Sequence, residues 1–199
     1  MFTIRQIERL WNSRQYRRLA VELLQGRPEA SYRLEAEFGR SVPAAALALV
    51  RMDELTQSHH PLYRTLLNVL IVAQEADGGW GDVMTTAVCI RALTCGDGQG
   101  VAVERGLAYL AQLQKSEGVW PKVPIRRMPA DAFVSAFVLF ELGQTEPFQR
   151  TSRVSDAMDW FGGNLATLDP DTRRLWDRAA AKCRTKRVQR PAEASGLWS

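Results

Sequence analysis

Side chains able to do chemistry are few in this sequence and widely spaced. Its two histidines, His59 and His60, are adjacent and stand directly before Pro61. Such a pair reads as a surface loop rather than a set of metal ligands. The three cysteines, Cys89, Cys95 and Cys183, match no C-x-x-C hook, and an odd count fits no disulfide framework. Cys89 and Cys95 lie in or beside the apolar run TTAVCIRALTC, where core thiols are expected. Acids gather at Asp53-Glu54, at Asp156 with Asp159, and at Asp169-Pro170-Asp171. The first two groups read as solvated faces and the last as a helix cap. Ser135 has no histidine near it in sequence and reads as a satisfied buried hydroxyl. The phosphate-loop, dinucleotide-loop, nucleophile-elbow and H-E-x-x-H patterns are all missing.

Basic residues form the densest charged group. Residues 170–199 hold eight Lys/Arg against three acids, whereas the whole chain is only +4. Within that group Arg178, Lys182, Arg184, Lys186 and Arg187 form a candidate patch for phosphates or an acidic partner. The competing reading is a solvated terminal helix whose late basic residues complement its dipole. These positions are not restricted to one face and carry no interleaved aromatics.

The elements that must position these groups are helical throughout. Apolar residues make up 46% and charged residues 24% of 199, a globular balance that allows one core. Helical spacing is expected over residues 4–24, over 28–39 with Gly39 as C-cap, and in AAALALVRMDEL after Pro43. Further helices are LYRTLLNVLIVAQ from Pro61, TTAVCIRAL from Thr85 or Thr86, and VERGLAYLAQLQ after a DGQG turn. AFVSAFVLFEL follows, with Asp131 as N-cap and a stop at Gly143. SDAMDWFGGNLATL and a helix capped by Asp169 come last. PKVPIRRMP, with three prolines, is a loop. No run alternates with period two for long enough to need a sheet. Amphipathic helices alternate with nearly all-apolar ones, which predicts an inner apolar layer covered by outer helices.

One domain is expected over residues 1–186, with a flexible basic tail at 187–199. No window approaches the roughly 18 apolar residues of a membrane span. The N-terminus puts charges where a signal peptide needs apolar residues, so a cytoplasmic protein is expected.

A repeat stands out. QEADGGWGD at 74–82 and QKSEGVW at 114–120 share Q-x-x-acid-G-x-W at a period of forty, pairing Gln74 with Gln114, Gly78 with Gly118 and Trp80 with Trp120. A degenerate third copy begins at VSDAMDWFGGNL. The pattern resembles the QW repeat of squalene–hopene cyclases and related terpenoid cyclases. More widely, it is similar to the α/α-toroid superfamily that includes protein prenyltransferase β-subunits. The resemblance is best over residues 61–142. It implies repeated α-hairpins in a partial or small toroid, in which Gln and Trp tie an outer helix to the next repeat. A Gln side chain can satisfy free N–H groups at the next helix start, and an indole can stack on it while its N–H finds a partner. Trp80 and Trp120 are therefore expected to be structural.

The family's chemistry is not carried over. The cyclase D-x-D-D acid motif is missing. The prenyltransferase zinc set would need Asp82, Cys89 and one of the two histidines, and the family's Asp-x-Cys pairing is lacking. No metal and no cofactor is assigned. Asp82 and Asp131 remain as candidate cavity-lining acids at the inner-helix mouth, although Asp131 reads first as a helix N-cap. At about forty residues per hairpin the chain holds four or five units, where the resemblance implies five to seven for a closed ring. An open ring exposes apolar edges, which suit a protein partner or self-association. The expected role is a non-catalytic scaffold or adaptor. The alternatives are an apolar, isoprenoid-like ligand in the toroid cavity and a nucleic-acid-associated regulator.

Overall fold

A computed structural model describes residues 41–95 and 100–187. The expected helices over 4–24 and 28–39, most of the DGQG turn and the tail beyond 187 lie outside the described residues. Those described are all-α. The helices are α1 (Ser41–Glu54), α2 (Pro61–Val72), α3 (Val83–Cys95), α4 (Gly100–Leu113), α5 (Ala132–Leu142), α6 (Glu146–Thr151), α7 (Val154–Asn164) and α8 (Pro170–Arg187). A 3-10 turn, Leu165–Thr167, joins α7 to α8. None of them is long and apolar enough to cross a membrane.

Helix starts follow local chemistry. The Asp82 carboxylate accepts from the Thr85 N–H at 2.8 Å and from the Thr85 hydroxyl at 2.9 Å, so α3 begins at Val83, earlier than the threonines alone suggest. Asp169 does the same for α8 through Thr172. Asp131 accepts from the Val134 N–H at 2.9 Å and starts α5. His60 caps α2 through Nδ1, which accepts from Leu62 N–H at 3.2 Å, with Pro61 in the first turn. Helix α1 is described from Ser41, so Pro43 lies within it rather than at its first residue.

The inner and outer layers follow the apolar pattern. Nine of thirteen residues of α3 and eight of eleven of α5 are buried. Helix α3 packs between α1 and α5, and α8 packs on the far side of α5. This gives a row α1–α3–α5–α8. Helix α2 lies against α1, α4 against α3, α6 against α4, and α7 against α5. One contiguous core runs through these helices, from Leu49 of α1 to Trp176 of α8. There the Trp176 ring stacks on Phe161 at 4.1 Å.

Candidate functional site

The two repeated turns have the same bonding. In each, the Trp indole N–H donates to an outer-helix carbonyl ten residues back: Trp80 to Leu70 at 2.7 Å and Trp120 to Leu110 at 2.8 Å. The Trp backbone N–H donates to a hydroxyl on the following inner helix, Thr86 at 3.0 Å and Ser135 at 2.8 Å. Each Trp thus joins the helix before it to the helix after it. The hydroxyl partner is a shared element that the repeat alignment missed. Its signal was a Thr or Ser early in each apolar helix.

The glutamines close the turns. Gln74 Nε2 donates to Gly78 O and to Ala102 O, both at 2.9 Å, and Gln114 Nε2 donates to Gly118 O at 2.9 Å. Gln114 Oε1 accepts from the Arg153 N–H at 3.0 Å, the helix-start bond expected of this residue. The aromatic neighbour of Trp120 is Phe148 of α6, with centroids 6.0 Å apart. Gly78 and Gly118 have φ of 93° and 79°. A Cβ at Gly118 would lie 2.4 Å from Ala157 N, so the turn also lets α7 approach. Trp80 and Trp120 are 4% and 0% exposed. They form internal joints between hairpins.

The candidate mouth acids are likewise engaged in structure. Asp82 and Asp131 hold the first turns of α3 and α5, as described above. Ser135 donates to Asp131 O at 2.7 Å. Cys89 is fully buried, and burial raises its thiol pKa well above the ordinary value, helped by the charge of Asp82. Among the described residues no group of three His, Cys, Asp or Glu is placed to hold a metal ion.

The basic candidates separate. Arg178 is exposed. Lys182 turns inward: its ammonium donates to Phe140 O at 3.1 Å and sits 3.5 Å above the Phe140 ring. It thereby satisfies a carbonyl in the last turn of α5, where a cation is favoured. The side chains of Arg184, Lys186 and Arg187 lie outside the described residues.

Lys182 belongs to a cluster that no sequence motif marked. Glu141 of α5 is 8% exposed. Burial raises its carboxyl pKa, the charges of Lys182 and Arg91 oppose that rise, and Glu54 adds to it. Burial lowers the pKa of Lys182, and Glu141 opposes that shift. Cys95 is pushed up to about 11, first by burial and then by Asp53, with Arg91 opposing. Arg51 pairs with Glu54 at 2.7 Å. Glu54 of α1, Arg91 of α3, Glu141 of α5 and Lys182 of α8 thus act on one another's charge. Arg91 and Glu141 are isolated charges in otherwise apolar helices, the one signal that could have found them.

No protein-family model matches this chain, and neither a curated protein nor a solved structure does.

Proposed function

We propose that this chain is a non-catalytic scaffold that binds a protein partner across the ends of α1, α3, α5 and α8. The observation that carries this reading is the Lys182 ammonium on the half-buried Phe140 ring, with the charges of Glu141, Arg91 and Glu54 acting on it. Mixed charges about an aromatic suit a protein surface, where ion pairs set specificity and an aromatic anchors. The repeated glutamines and tryptophans fit the same reading, because their polar groups serve the joints between hairpins. In this reading the row of inner helices is an arc of an α/α toroid, as the QW resemblance implies, and the protein works in the cytoplasm.

The test is a pull-down from the native host with the full chain and with Arg91→Glu, each with and without nuclease, read by mass spectrometry. A stoichiometric protein that survives nuclease and is lost with Arg91→Glu is the expected result. A protein held equally by both chains would place binding elsewhere. Recovery only without nuclease would move the function to the basic residues of α8.

A further inference from the structure

The loop between Trp120 and Asp131 is closed at its neck and turned outward. An isolated antiparallel bridge between Pro121 and Ala130 closes its neck, and Asp131 N–H donates to Trp120 O at 2.9 Å. Inside, Met128 N–H donates to Ile125 O at 2.9 Å, and Pro121, Pro124 and Pro129 each fix one backbone angle. Every residue from 122 to 129 is exposed. Val123, Ile125 and Met128 are 42%, 43% and 38% exposed, three of the large apolar side chains open to water among the described residues. Lys122, Arg126 and Arg127 alternate with them. Residues 121–130 contain no acid, hydroxyl or amide side chain.

We infer that the Pro121–Ala130 loop docks on an anionic lipid surface. Its side chains are of two kinds only, aliphatic and cationic. A bilayer interface offers the two matching environments, hydrocarbon and phosphate, at adjacent depths. A protein partner would leave such a loop without side-chain hydrogen-bonding groups other than cations. Prolines and the closed neck hold the apolar tips outward before contact, so little order is lost on docking. The loop precedes the first turn of α5, whereas Glu141 lies at its last, about 15 Å away along the helix. The surface is therefore separate from the charged cluster, and the inference stands whether or not that cluster binds a protein.

The experiment sediments the full chain with phosphatidylcholine vesicles, plain or containing about one phosphatidylserine in three lipids. Two triple variants are compared, Lys122→Gln/Arg126→Gln/Arg127→Gln and Val123→Ser/Ile125→Ser/Met128→Ser. All six positions are exposed, so both should keep the parent's helical circular dichroism and melting temperature. The parent should bind the phosphatidylserine vesicles, and more weakly as salt rises. The cation variant should lose on the order of a hundredfold in affinity, about fivefold per charge. The serine variant should lose at least about tenfold. Failure of the parent to sediment would overturn the inference. So would equal binding by both variants, which would assign the contact to another surface. Binding kept by the serine variant but lost by the cation variant would mean mere polyanion attraction and would also overturn it.

Discussion

At the scale of single residues, Trp80 and Trp120 make the clearest forecast. Each fills a buried site and satisfies a carbonyl with its indole N–H. Trp80→Ala and Trp120→Ala should each cost about 3–5 kcal/mol in urea unfolding, and two stable variants would refute the joint. Glu141 makes the opposite kind of forecast. Its folded pKa lies above the unfolded one, so folding favours the protonated acid. The penalty is absent below the unfolded value of about 4.3 and grows as pH rises toward the folded value. The facing groups are Lys182, Arg91 and Glu54, and the two cations only offset the penalty. Glu141→Gln should therefore match the parent's stability in acid and exceed it at neutral pH, as read from melts across that range. A variant less stable at neutral pH would show that the ion pairs outweigh burial.

At the scale of elements, most helices were legible because an apolar stripe and a cap coincided. Asp131, Pro61 and Asp169 marked starts that the structure has. Helix α2 stops at Val72 although the apolar pattern invites extension to Gln74, whose side chain is engaged in the turn. Helix α6 escaped notice because six residues cannot show a period, and Phe148 is its one buried side chain. The glycines could not be ranked by sequence at all. Gly106 and Gly162 both lie inside helices, yet a Cβ at Gly106 would sit 2.9 Å from Ile90 Cγ1 and 3.0 Å from the Trp80 ring, while one at Gly162 meets nothing within 4 Å. Alanine gains roughly 0.5–1 kcal/mol over glycine in an open helix. Overpacking costs about 1–3 kcal/mol. Gly162→Ala should thus raise the melting temperature and Gly106→Ala should lower it. The same sign for both would mean that α4 and α3 are not in this contact.

At the scale of the whole molecule, the question is whether α8 is an appended basic arm or the last member of the inner row. Its charge left two readings open, a phosphate-binding patch and a solvated terminal helix. The structure places Leu175, Trp176, Ala179 and Ala180 in the core and leaves Arg173, Arg174 and Arg178 exposed. Its far half is fastened to α5 by Lys182 on Phe140 and by the approach of Cys183 to Gly143, where a Cβ would lie 2.4 Å from the sulfur. The sequence could not show this, because a lysine that serves a carbonyl is indistinguishable in a string from one that serves a phosphate. Lys182→Met keeps most of the volume but removes the hydrogen bond and the cation over the ring, and should cost about 1–3 kcal/mol. Arg173→Gln/Arg174→Gln/Arg178→Gln touches only exposed positions and should change stability by less than about 0.5 kcal/mol per site. A chain ending at Leu168 would bare the apolar flank of α5 and should self-associate or unfold, as light scattering and circular dichroism would read. An arm predicts the reverse order: a truncated chain that stays monomeric and melts with the parent, and a Lys182→Met variant without effect.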